Sequence, residues 1–290
     1  MEECGSPSHP PGQYSSSARQ PLRSKVGGLV IMVLSPILGV FLLVELLENV
    51  SDDRWWIYGP IFLGLGSFAL FNVGRRLRAP DAAEVMQHDT RPPIVYLRSF
   101  QADDRQTLGS PQGAREGGVR AQVSATTASW EDKLRKSLSE LGPFIAVGKP
   151  GEWLTHAGGA ARVYLSHENW KEVVESLVKH AAAVVLQPES TEGTLWEVGH
   201  VASAIDLRRV LLIVPNPATR PFGFVRVQAL IADRFGVELP PIDECGACDA
   251  FWFDVNRKPI PLSFARDMTG TLTPFVHFVQ ELQGHAAVPA

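Results

Sequence analysis

The chain has 290 residues, 45% of them hydrophobic, and a formal net charge of −4 at pH 7. That length holds one large domain or two modest ones. The slightly acidic balance gives no support to nucleic-acid binding, which draws on a basic excess, and it leaves both an enzyme and a binding module open. Residues 1–25 are rich in Ser, Pro and Gly without apolar periodicity, and read as a disordered tail. Residues 26–44 (VGGLVIMVLSPILGVFLLV) then run 19 positions without a charge, and residues 55–74 (WWIYGPIFLGLGSFALFNVG) run 20. A helix rising about 1.5 Å per residue needs about 20 apolar residues to cross the hydrocarbon layer. Residues 26–78 are therefore expected to form a two-helix transmembrane hairpin. The first segment is too long and begins too late for a cleaved leader. Arg19, Arg23 and Lys25 precede the first span, and Arg75, Arg76 and Arg78 follow the second. The connector carries Glu45, Glu48, Asp52 and Asp53 against Arg54. Basic flanks stay inside, so both termini are expected on the cytoplasmic face of the inner (plasma) membrane, with Trp55, Trp56 and Tyr58 at the outer interface.

A linker over 79–93 ends at Arg91-Pro92-Pro93. IVYLRSF (94–100) reads as a strand of β-branched and aromatic residues. Residues 101–128 lack a core-forming pattern, and loops of that length are functional or disordered. Trp130, Leu134, Leu138 and Leu141 make one helical stripe, capped by Ser129 and stopped by Gly142-Pro143. FIAVG (144–148) and ARVYL (161–165) read as strands, ENWKEVVESLVKH (168–180) as an amphipathic helix, and AAAVVLQ (181–187) as a strand buried on both faces. A helix from about Leu195 to Asp206 and the strand VLLIVP (210–215) follow. Strands alternating with helices over 94–215 predict an α/β domain with an open parallel sheet. Residues 216–290 are expected to pack on it as an extension: a helix in FGFVRVQALIADRFG, a hairpin of AFWFDV and PIPL, and a terminal helix.

Cys4, Cys245 and Cys248 are the three cysteines. One CxxC pair supplies two of the four ligands a structural zinc needs, so plain loop cysteines are the stronger reading; a redox or metal role stays open. No P-loop and no HExxH occurs.

The stretches IVYLRSFQADD, WEDKLRKSLSELG, FIAVGKPGEW and NWKEVVESLVKHAAAVVLQPESTEGTLWEVGHV, taken together, resemble Toll/interleukin-1 receptor (TIR) domains and their bacterial relatives. The resemblance covers about 120 residues and implies a flavodoxin-like open parallel sheet. It also implies that Glu197 corresponds to the catalytic glutamate of the family's NAD-glycohydrolases. Gly193, Thr194, Trp196, Glu197, Val198 and Gly199 are similar to the motif of nucleoside deoxyribosyltransferases, with the aromatic displaced by one residue. Both chemistries break an N-glycosidic bond, where one ionised carboxylate stabilises or attacks the cationic anomeric carbon. A helix N-terminus would favour that ionised form at Glu197; a first-turn acidic residue is equally explained by capping. Arg98 and Ser99, ending the first strand, would meet a diphosphate and a ribose hydroxyl. The turn from Gly148 to Gly151 would offer backbone amides to a phosphate, although it matches no phosphate-loop pattern and also reads as a plain turn. Ser190 and Trp196 complete the substrate-binding candidates, Trp196 by stacking on a nicotinamide or adenine ring. His200 reads as a bystander.

The function implied is a membrane-anchored NAD-glycohydrolase in signalling or defence. NAD would be its substrate; no cofactor or metal is expected. The bilayer, a nucleotide ligand and self-association of the α/β domain are the expected partners. The same fold serving as a non-catalytic scaffold is the alternative, and deoxyribosyl transfer between bases is the third reading.

Overall fold

The computed structural model describes residues 24–49, 55–98, 130–148, 159–165, 170–188, 192–218, 220–246, 248–264 and 267–286. Residues 1–23 of the expected tail, residues 50–54 of the connector and the 101–128 loop lie outside these, as do Cys4, Ser99, Gly151 and Ser190; Glu45 and Glu48, expected in the connector, belong to the first helix. The described residues divide into two compact units that meet in sequence at Pro80 and Asp81.

The first unit is a pair of helices, α1 (Lys25–Asn49) and α2 (Trp55–Leu77). They touch through their smallest residues. A Cβ on Gly28 would come within 2.6 Å of the Gly74 carbonyl oxygen, and one on Gly74 within 2.7 Å of the Gly28 carbonyl. Gly39 faces Ser67 in the same way. Glycine and serine let two backbones approach closely, the packing mode of helices in lipid. Residues Lys25–Glu45 are long and apolar enough to cross a membrane, and only 11% of that window is buried. A core helix would be mostly covered; here Leu29, Val33, Ile37, Val40 and Phe41 are exposed. The expectation of two spans is thus met, by length and composition, for one helix. The second is helical, and a second span is not shown among the described residues.

The second unit holds one seven-stranded sheet: β1 (Ile94–Arg98), β2 (Phe144–Gly148), β3 (Ala161–Tyr164), β4 (Ala183–Gln187), β5 (Val210–Ile213), β6 (Ala250–Phe253) and β7 (Pro259–Leu262). Its order is β3-β2-β1-β4-β5-β6-β7. The first five strands are mutually parallel, whereas β6 and β7 join antiparallel. This corrects the expected order. A flavodoxin-like sheet places its third strand beyond the first, as 2-1-3-4-5, whereas 3-2-1-4-5 is the doubly wound dinucleotide-fold order. Here β3 is held outside β2 by contacts distant in sequence: Arg162 reaches Glu131, and Tyr164 lies across Gly148. Residues 216–290 also do more than pack on the sheet, because β6 extends it with Leu212 in register with Phe251.

Side chains alternate between two buried faces. Val95, Leu97, Ile145, Val147, Val184, Leu186 and Leu212 share one face with α5 (Trp170–His180), α6 (Glu192–Ala204) and α7 (Pro221–Phe235). Ile94, Tyr96, Phe144, Ala146, Val185 and Leu211 share the other with α4 (Trp130–Leu138) and α9 (Met268–Ala286). The helices follow from their stripes: Val174, Leu177 and Val178 in α5, and Leu272, Phe275, Val276 and Val279 in α9, all recur at helical spacing and are buried. A short α8 (Ile242–Cys245) precedes β6. The expected linker contains a helix that its pattern did not announce, α3 (Ala82–His88). Ala82 is fully buried in the core, and Asp81 bridges to Arg162.

Candidate functional site

After β1 the chain passes to α4 on one face, and after β4 it passes to α6 on the other. The two strands are hydrogen-bonded neighbours, so the course of the chain divides at their shared carboxyl edge. Open α/β sheets bind ligands at such a switch point. Arg98 ends β1 in register with Gln187 at the end of β4. The Tyr96 hydroxyl donates to Gln187 Oε1 at 2.6 Å, and the Arg98 guanidinium lies 5.2 Å from the centre of the Tyr96 ring.

Arg98 is not presented to solvent. Its side chain is 2% exposed, and Nη2 lies 2.9 Å from Glu131 Oε2. Glu131, in the first turn of α4, is fully buried. It also takes Arg162 Nη2 at 3.1 Å, and its Oε1 accepts from the Ala160 amide at 2.7 Å. Asp132 accepts from the Gly159 amide at 2.6 Å. Gly159 has φ +82°, and any Cβ there would run into the Glu131 carboxylate. Only glycine lets this turn close on the carboxylate. Glu131 therefore ties β1, β3, α4 and the entry to β3 together. Nothing in the spacing pointed to it, since an acidic first turn reads as a helix cap. The one available signal was Arg162, a charge inside the apolar strand ARVY.

Gly148 also has a packing role. A Cβ there would sit 2.6 Å from the Tyr164 ring, so the end of β2 is covered by an aromatic face.

Glu197 departs from expectation in two respects. It is the sixth residue of α6, because that helix begins at Glu192. The dipole effect is confined to the first turn, so it does not act on Glu197 as expected. The carboxyl is also buried, 6% exposed, with Oε2 lacking any hydrogen-bond partner. Burial pushes its pKa up to about 8, so in this state the group is a neutral acid at pH 7. Its neighbours Val198 and Val201 lie in the core.

Trp196 packs edge-on to Trp170, with ring centres 4.8 Å apart, and stacks on His200 at 5.4 Å and 4°. Lys171 Nζ lies 5.4 Å from its ring centre. Trp196 thus fastens α5 to α6, and His200 is its stacking partner. A concavity of about 740 Å³ between these helices is lined by Glu172, Glu175, Lys179, His180 and His200 among others. Arg98, Gly148 and Glu197 are not part of its lining.

Among the described residues no cluster of three or more His, Cys, Asp or Glu could hold a metal ion. Cys245 and Cys248 are buried free thiols; Cys245 Sγ donates to the Pro240 carbonyl at 3.4 Å, and burial raises both pKa values, that of Cys248 to about 12. Neither is a thiolate at neutral pH, so neither has the activated character of a redox CxxC.

The topology brings Arg98 and Gly148 to one sheet edge and places Glu197 on the helix that follows β4. Ser99, Gly151 and Ser190 lie outside the described residues. No protein-family model, curated protein or solved structure matches this chain.

Proposed function

We propose that the chain is a membrane-anchored α/β protein, TIR-like in its sequence motifs though not in its strand order, that binds a nucleotide at the carboxyl edge of β1 and β4 and hydrolyses the nicotinamide–ribose bond of NAD with Glu197. Both α1 and α2 span the inner membrane, and both termini are cytoplasmic. The observation that carries the catalytic reading is Glu197 itself. A buried carboxyl with an unpartnered oxygen and a pKa near 8, beyond the end of a central parallel strand, is the kind of perturbed group that gathers at working sites.

Desolvation favours the neutral form of this group. The nicotinamide of NAD carries a positive charge at its ring nitrogen, and an opposite charge within about 4–6 Å favours the carboxylate. Substrate would therefore ionise the residue that acts on it. The carboxylate then stabilises positive charge at the anomeric carbon as the carbon–nitrogen bond breaks and its electron pair passes to nicotinamide. Water adds to that carbon and releases a proton, giving ADP-ribose and neutral nicotinamide. Since the free enzyme must lose a proton near pH 8, kcat/KM rises with pH and levels above that value. Nicotinamide release by the purified full chain tests this, with Glu197→Gln expected to lose at least a hundredfold in kcat. Equal turnover by that variant removes the assignment.

A scaffold reading is favoured by a different observation. Arg98 is bonded to Glu131 and Gly148 is covered by Tyr164, so two expected ligand groups are engaged within the fold. No nicotinamide release even at concentrations where the chain self-associates selects the scaffold.

A further inference from the structure

We propose that the end of the helix pair formed by the start of α1 and the end of α2 is a binding site for anionic phospholipid headgroups. The inference rests on the membrane-anchor reading and goes beyond it, because basic flanks that set the orientation of an anchor need no bound headgroup. The two helix ends are joined: the Ser24 amide donates to the Leu77 carbonyl at 2.9 Å. The reciprocal contact of Gly28 and Gly74 draws the backbones together one turn further in. A Cβ on Gly28 would lie 2.5 Å from Arg78 Cγ, so the aliphatic stem of Arg78 runs across α1.

The consequence is a concentration of charge. Lys25, Arg75, Arg76 and Arg78 occupy this end, with Lys25 and Arg78 exposed. The other end has the opposite character: Glu45 and Glu48 lie in the last turns of α1, and Asp52 and Asp53 stand against Arg54 between the helices. Helix dipoles account for part of the pattern, since Arg75 and Arg76 sit in the last turn of α2, where cations are favoured. They do not account for Lys25, which opens α1, where a cation is disfavoured, nor for Arg78 beyond the end of α2. A requirement for positive charge at this level of the pair accounts for all four. Four or more cations immediately beside a membrane helix attract anionic lipid, and the exposed apolar face of α1 continues from the same end. That continuity selects a lipid over a free phosphate, because one ligand meets both the cations and the apolar face. Guanidinium groups suit the phosphodiester through paired hydrogen bonds.

The full chain is reconstituted into vesicles of equal parts phosphatidylcholine and phosphatidylglycerol, extracted gently, and its retained lipids are counted by native mass spectrometry. The expected result is phosphatidylglycerol enriched over the vesicle ratio, by about fivefold for each cation engaged. Lys25→Gln, Arg75→Gln, Arg76→Gln and Arg78→Gln together return the ratio to that of the vesicle, and the three Arg→Lys changes keep the enrichment. Lipids retained in the vesicle ratio by the unaltered chain overturn the proposal, as does enrichment that survives the fourfold Gln variant. Enrichment abolished by equimolar inorganic phosphate overturns the assignment to lipid. Alkaline carbonate extraction separates the two levels of failure. A chain that washes off the vesicles removes the anchor and this site together, whereas a chain that stays without enrichment removes only the site.

Discussion

Two glutamates in the α/β unit make a controlled comparison. Glu131 and Glu197 are both in helices, both buried, and both near the carboxyl edge of the sheet. Around Glu131 the fold assembles two guanidinium groups and a backbone amide, so the carboxylate is paired from several sides. Around Glu197 it provides burial without a partner for Oε2, and desolvation alone raises the pKa. Burial alone therefore does not set the role of a carboxyl group; its neighbours decide whether it is a structural anion or a neutral acid. The first carboxylate is held by several partners; the second is a group whose ionisation desolvation opposes.

Removing one partner from a buried ion pair leaves a charge uncompensated, which costs about 3–5 kcal/mol. Glu131→Ala takes a buried carboxylate from both Arg98 and Arg162 and is expected within that range, measured as a loss in urea midpoint. A loss below about 1 kcal/mol would mean that the arginines find other anions and that the pairing is dispensable.

Glu197 offers the pH test. Its pKa is about 8 in the folded chain, against 4.5 for the unperturbed group. Between those values the unfolded chain has released a proton that the folded chain still holds, so stability falls as pH rises from about 4.5 to 8. The decline belonging to this residue is on the order of a few kcal/mol. Glu197→Gln should flatten that part of the profile in thermal melts taken across the window, with little change near pH 4. Parallel profiles for the two proteins would show that the carboxyl is solvated.

Gly159→Ala sharpens the other side of the comparison. It places a Cβ against the Glu131 carboxylate at φ +82° and should cost about 1–3 kcal/mol. Combined with Glu131→Ala, its cost should shrink, because the obstructed group is gone. The smallest effect is expected at Arg208, whose partner Asp206 is, like it, about one-third exposed. Arg208→Ala should change stability by no more than about 1 kcal/mol, and less in high salt.

Much of the architecture was legible in local pattern. AVVLQ and VLLI announce strands covered on both faces, and Val174, Leu177 and Val178 announce the helix between β3 and β4. Helical and strand periodicities are local properties, and burial of one stripe or two faces imposes them. Strand order was not legible, because alternation of strands and helices is common to several doubly wound topologies. The position of β3 depends on Arg162 meeting a glutamate 31 residues earlier. The helix at Ala82–His88 was hidden because a seven-residue element carries too short a repeat to register.

The site divides along the same line. Sequence by itself determined which residues bear chemistry, an apolar helix long enough to cross a membrane, the segregation of charge along the helix pair, and a glutamate following a central strand. Only the tertiary structure decided what each group does: Arg98 engaged by Glu131, Gly148 covered by Tyr164, and Glu197 withdrawn from water into its neutral form. The reason is physical. Residue type sets what a side chain can donate, accept or ionise, while its charge state and availability depend on solvent and partners brought from distant parts of the chain.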